Sequence, residues 1–158
     1  MKWISPRELR EQGVLGMNSR NVDYIGRSND RSRYPLVDNK LKTKQMALEH
    51  GMPVPVLFGV VRTQHAVQAL EQMLEGLEKF VIKPVQGSGG KGILVITQRR
   101  GDDFVKSTGA VLNLREVKRH TSNILSGLYS LGGRPDVAMI EDMIEFDQML
   151  SNYSHEGV

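Results

Sequence analysis

The chain has no cysteine, which excludes disulfides, thiolate metal sites and thiol nucleophiles and fits a cytoplasmic protein. No apolar run approaches the roughly 18 residues of a membrane span. The apolar residues of 1–16 are scattered among Arg and Glu, unlike a signal peptide. The expectation is a soluble cytoplasmic domain with no membrane partner. Repeats and low-complexity segments are missing as well. His50, His65, His120 and His155 stand at no metal-like spacing, and no Ser-His-Asp order stands out; core, surface or cap roles are expected of them.

What is present suffices for one domain with a core: 158 residues, 39% hydrophobic and 25% charged. The net charge of +3 is unevenly placed. Residues 1–44 carry 10 Lys/Arg against 5 Asp/Glu, whereas residues 45–158 carry 11 against 13. Arg20, Arg27, Arg31, Arg33, Lys40, Lys42 and Lys44 make a basic stretch, read first as a solvated face. Binding of a phosphorylated small molecule is the next reading. Nucleic acid ranks third, because Tyr24 and Tyr34 alone are too few for a stacking surface.

Ser5-Pro6-Arg7-Glu8 predicts a capped helix that Gly13 ends. Residues 15–35 show no period and are expected as an ordered loop or arm. Asp38 is expected to cap a second helix running to His50, with Gly51 as its terminator. Strands are expected over residues 56–61, 80–83, 93–97 and 136–140. Val67, Leu70, Leu74 and Leu77 share one helical face over residues 63–77. Asn113 with Glu116 predicts a further capped helix reaching about Leu128, and residues 99–103 a hairpin tip. The class is α+β, or mixed α/β.

Gly87-Ser88-Gly89-Gly90-Lys91-Gly92 matches G-x-G-x-x-G. A Rossmann fingerprint would open a helix, but the apolar β-type run Ile93-Leu94-Val95-Ile96 follows. Walker A is excluded because Gly92, not Ser or Thr, follows Lys91. What remains is a strand–loop–strand hairpin whose glycines let backbone N–H groups approach a phosphate. Lys83 lies in the strand just before it, on the face opposite Phe80 and Ile82. A buried ammonium there needs an anionic partner or solvent; the alternatives are a phosphate contact and a strand-end Lys that reaches water.

Phe80-Val81-Ile82-Lys83-Pro84 with the following glycine loop resembles the phosphate-binding hairpin of ATP-grasp enzymes. Val37-Asp38-Asn39-Lys40-Leu41-Lys42-Thr43-Lys44 and Gly51-Met52-Pro53-Val54-Pro55 are similar to the family's lysine-bearing helix and the turn after it. Ala138-Met139-Ile140-Glu141-Asp142-Met143-Ile144 looks like its adenine-gripping hinge. Gly13-Val14-Leu15-Gly16-Met17-Asn18, Arg20-Asn21, Tyr34-Pro35-Leu36-Val37-Asp38 and Ser126-Gly127-Leu128-Tyr129-Ser130-Leu131-Gly132-Gly133 resemble the alpha-L-glutamate ligase-like proteins.

The resemblance implies a small, mostly antiparallel sheet with flanking helices that binds ATP. It divides the chain into an N-terminal helix and basic arm (1–36), a nucleotide-binding subdomain (37–145) and the start of a second half (146–158). Lys40 and Lys83 would contact phosphates, and Gln86, Gly87, Ser88, Gly89 and Gly90 would cover them. Glu141, Asp142 and Ile144 would lie along the adenine edge, with Asp147, Glu145 or Gln148 as alternatives at the ribose. The implied reaction is ATP-dependent ligation of a carboxylate to an amine through an acyl phosphate, with glutamate, or an amino acid or peptide-like molecule, as substrate. Mg²⁺ would accompany ATP, held by acidic and Asn residues beyond the hinge, in a metal-binding half expected to be absent from this chain. The expectation is therefore a piece of a longer catalytic unit that binds nucleotide weakly, near 1 mM or about 4 kcal/mol, without turnover. Apolar surface on the hinge strand is expected to promote a homodimer. A non-catalytic nucleotide-binding module is the rival reading.

Overall fold

The structure, a computed structural model, describes residues 3–145. By its internal contacts the chain divides into two units, Met1–Asp38 and Asn39–Val158.

The N-terminal unit is held by local hydrogen bonds. Ser5 and Glu8 form the expected capping box at the start of α1 (Pro6–Glu11), with Oγ accepting from the Glu8 N–H at 3.2 Å and the carboxylate from the Ser5 N–H at 2.8 Å. Those bonds hold the Glu8 carboxyl below its ordinary pKa. The segment expected as a loop is instead a chain of short helical turns. α2 (Met17–Ser19) runs into a π-helical stretch, Arg20–Gly26, followed by a 3₁₀ turn, Arg31–Arg33, and α3 (Pro35–Asp38). Side chains support these turns: Ser19 donates to Asp23 at 2.8 Å, and Asp30 accepts from the Ser32 N–H at 2.9 Å. None of the unit's described residues is buried, so it has no apolar face whose period a sequence could display.

The second unit begins with α4 (Lys40–Glu49), capped by Asn39 rather than Asp38: the Asn39 side chain accepts from the Lys42 N–H at 2.9 Å. The sheet comprises β1 (Leu57–Val61), β2 (Phe80–Pro84), β3 (Leu94–Arg100), β4 (Asp103–Lys106), β5 (Val111–Leu112) and β6 (Ala138–Glu141). Its order is β1-β6-β2-β3-β4-β5, with every pairing antiparallel. Gly101, at φ 60°, turns β3 into β4. β6 lies between β1 and β2 and all four of its residues are buried. The hinge strand is therefore paired along both of its edges.

Residues 63–77 fold as a 3₁₀ turn, His65–Ala69, leading into α5 (Leu70–Met73), not as one long helix. Val67, Leu70 and Leu74 are three and four residues apart, a spacing that either helix type can bury. α6 (Leu114–Leu125) has the expected Asn113–Glu116 capping box, with both bonds at 3.0 Å. α5 and α6 cover one sheet face, where Phe80, Ile82, Ile96, Phe104 and Ile140 meet Leu70, Leu74, Val117 and Ile124. Each of these fully buried side chains contributes about 1.5–3 kcal/mol relative to exposure. Phe80 and Phe104 meet edge to face at 5.7 Å. On the opposite face a smaller cluster joins Leu41 of α4 to Val85 and Met139. The remainder of that face borders the site.

Candidate functional site

Alternation along β2 positions the site. Phe80 and Ile82 enter the core, while Val81 and Lys83 take the other face and are only partly buried. Val81 pairs with Val95 of β3 on one side and with Glu141 of β6 on the other. This row forms part of a cavity of about 630 Å³. Val81, Ile93 and Val95 give it apolar walls; Asp142 to Glu145 line it where the chain leaves β6, and Lys83 and Glu141 supply charge. Ile93, two residues before Val95, falls on the same face just ahead of β3, which starts at Leu94, one residue later than expected. A cavity of equal volume between Ile25 and Asp38 in the N-terminal unit has no buried residue in its walls and carries no comparable chemistry.

Glu141 is buried, and two lysines account for its charge. Lys83 Nζ pairs with Oε1, and Lys44 Nζ lies 3.0 Å from Oε2. The Lys44 contact is an ion pair by distance that lacks hydrogen-bond alignment, so Oε2 keeps acceptor capacity. Lys44 also donates to the Pro55 carbonyl. Its side chain is 6% exposed against 24% for Lys83. Lys44 therefore acts as a fixed counter-ion, whereas Lys83 is the cation with access to a ligand. Two ammonium groups around one carboxylate give this cluster one positive charge in excess. Asp142 in the same lining balances it and Lys79 pairs with Glu145, so what the cavity offers an anion is the local ammonium of Lys83.

The glycine hairpin is fastened at its base. The Gln86 N–H donates to both carboxylate oxygens of buried Asp136, at 3.0 and 3.1 Å. Lys40 Nζ donates to the Gly87 carbonyl at 2.5 Å and to that of Val85 at 3.5 Å. A Cβ on Gly87 would stand 2.3 Å from Pro84 Cγ, so only glycine fits there. Ser88, Gly89 and Gly90 are exposed, and Gly89 and Gly90 adopt φ 62° and 70° with nothing near an added Cβ. Such a turn leaves backbone N–H groups open to an anion.

Of the residues singled out by sequence, Lys83, Glu141, Asp142 and Ile144 border one cavity. Lys40, Gln86 and Gly87 gather at the hairpin base, and Ser88, Gly89 and Gly90 form its tip. Asp147 and Gln148 lie outside the described residues. Asp142 donates its N–H to the Val56 carbonyl at 2.8 Å, so what it can offer a base is its own carbonyl. Sequence reasoning named Lys44 only as part of the basic stretch and of the lysine-bearing helix and gave it no site role, although its i,i+4 relation to Lys40 sets both on one face of α4. It also passed over Asp136, read only as the start of a strand. Among the described residues no three His, Asp or Glu side chains could together hold a metal ion.

No curated protein and no solved structure matches the chain. The protein family described as sugar-transfer associated ATP-grasp matches residues 19–158. Its ATP-binding, ligase-type module agrees with an antiparallel sheet carrying a glycine hairpin and a lysine-lined cavity. The chain belongs to that family of the ATP-grasp superfamily.

Proposed function

We propose that the cavity beside Lys83 holds the nucleotide of an ATP-dependent carboxylate–amine ligase. The base would rest on Val81, Ile93 and Val95, and the segment after β6 would meet its edge. Lys83 and Lys40, with the hairpin N–H groups, would take the phosphates. The observation that carries this reading is the pairing of an apolar cavity of about 630 Å³ with the accessible ammonium of Lys83, held at its wall by buried Glu141. In such a reaction ATP converts a carboxylate into an acyl phosphate, which an amine displaces. This chain's own contribution is to hold and orient the phosphates and offset their charge.

The match to a sugar-transfer associated family, rather than to the glutamate ligase-like subgroup, makes a saccharide-linked substrate a stronger candidate than free glutamate. Dependence on ATP suits a cytoplasmic setting. We also propose that this chain alone binds nucleotide without turnover, which a phosphate-release assay tests directly.

Equilibrium titration of ADP into the parent chain and into Lys83→Ala tests the site. Lys83→Ala leaves Glu141 paired with Lys44, so the fold should survive. Binding near 1 mM, about 4 kcal/mol, should weaken by at least tenfold in the variant. Equal affinity for both chains would remove the phosphates from Lys83.

A further inference from the structure

Residues 126–133, for which the sequence suggests no chemistry, contribute Tyr129 and Ser130 to the surroundings of the glycine hairpin. Ser130 forms a bridge with Gly87, at the hairpin's first arm. At the second arm the Tyr129 ring fills the space where a Gly92 Cβ would stand, 2.5 Å from Cγ and Cδ2. His120 of α6 shares a 3.0 Å hydrogen bond with the Gly92 carbonyl through Nε2 and packs on Tyr129 at 5.5 Å between ring centroids. A carbonyl only accepts, so Nε2 carries the proton. The supporting turn is itself tied down: Ser130 Oγ contacts the Gly127 and Arg134 carbonyls at 3.0 and 2.5 Å.

Both arms of the hairpin are thereby pinned while residues 88–91 between them stay exposed. Gly92, at φ 78° and with no room for a side chain, is the pivot of the second arm. We propose that His120 and Tyr129 form a latch on Gly92 that sets where the free tip presents its N–H groups, and so tunes phosphate recognition without touching the nucleotide. His120 is a positioning residue in this scheme. The scheme rests on the nucleotide reading above, and it supplies a role for residues 126–133.

Chemical-shift titrations of ADP and of adenosine into the parent chain, His120→Leu, His120→Gln and Tyr129→Phe separate the outcomes. Loss of one neutral hydrogen bond should raise the ADP Kd of His120→Leu roughly three- to tenfold, with adenosine affinity unchanged. His120→Gln, whose amide N–H can replace Nε2, should return within about twofold of the parent on the same scale. Tyr129→Phe keeps the ring and should match the parent. If His120→Leu fails to melt cooperatively, His120→Asn, too short to reach the Gly92 carbonyl, carries the same expectation.

Unchanged ADP affinity without the imidazole would overturn the latch. So would an equal loss for adenosine, which marks general damage, or a failure of Gln to rescue. A parent chain that binds neither ligand would instead defeat the nucleotide reading, and the latch with it.

Discussion

Removing the Glu141 carboxylate isolates the electrostatic design of the site. At 3.0 Å and an effective dielectric near 20, the Lys44–Glu141 attraction is about 5–6 kcal/mol. Desolvation of both ions offsets most of it, since both side chains are nearly inaccessible. The net worth of the pair is therefore small, but breaking it is expensive. In Glu141→Leu the Lys44 ammonium stays buried with the Pro55 carbonyl as a partner, a loss of about 3–5 kcal/mol. Lys83, 24% exposed, can turn to water and adds little. In urea, with a slope of about 2 kcal/mol/M, the midpoint should fall by about 1.5–2.5 M. Adding Lys44→Met removes the orphaned charge at similar volume, and the double variant should return to within about 1 kcal/mol of the parent. A single variant that loses less than about 1 kcal/mol, or a double variant no better than the single, would refute the buried triad.

Three further perturbations bear on the rest of the unit. Burial, opposed by the Gly92 hydrogen bond and assisted by the Lys106 charge, depresses the His120 pKa below 6.5. Below about pH 6.5 the unfolded state then binds more protons than the folded one, so stability should fall as pH drops from 7.5 to 5.5. His120→Gln should lose that part of the slope in paired urea titrations; an identical slope would assign it to other groups. Gly127→Ala meets both a φ of 85° and a Cβ 2.3 Å from the Arg134 carbonyl. Its thermal denaturation should show clearly more than the roughly 1 kcal/mol expected of Gly101→Ala, where φ is 60° and the space is open. Asn113→Ala removes half of the α6 capping box and should cost about 1 kcal/mol in denaturant, with the slope unchanged.

Legibility in the sequence followed the range of the interactions. The capping boxes at Ser5–Glu8 and Asn113–Glu116 depend on residues three apart, and both form as read. The alternation of β2 is equally local, and it assigned Lys83 to the face opposite the core before any partner was known. Short range also explains one failure: a spacing of three and four residues could not tell the 3₁₀ turn at His65–Ala69 from an α-helix. The π-helical stretch at Arg20–Gly26 had no buried face to betray it. At the site, the missing parts are long-range. Asp136 reaches Gln86 across 50 positions and His120 reaches Gly92 across 28. Neither pairing leaves a periodic mark on the chain.

The placement of Lys83 links the fold's stability to its chemistry. Had β2 slipped by one residue against β6, its whole alternation would invert, sending Lys83 into the Phe104–Ile140 core and Phe80 into the cavity. Burial of Phe80, Ile82 and Ile140 opposes that slip through several kcal/mol of hydrophobic free energy. Glu141 opposes it too, because its register partner Val81 and the nearby Lys83 share its face only in the native pairing. The apolar core thus fixes the position of an ammonium that it never touches. The buried carboxylate makes that position tolerable by giving the Lys83 ammonium an anionic partner beside an otherwise apolar wall. Replacing Glu141 together with Lys44 should therefore leave the sheet stable yet free Lys83 from its guide. A loss of ADP affinity in that well-folded double variant with adenosine affinity unchanged would measure the guidance of Lys83, since its ammonium remains while any direct contact of Glu141 with the base would show in adenosine as well.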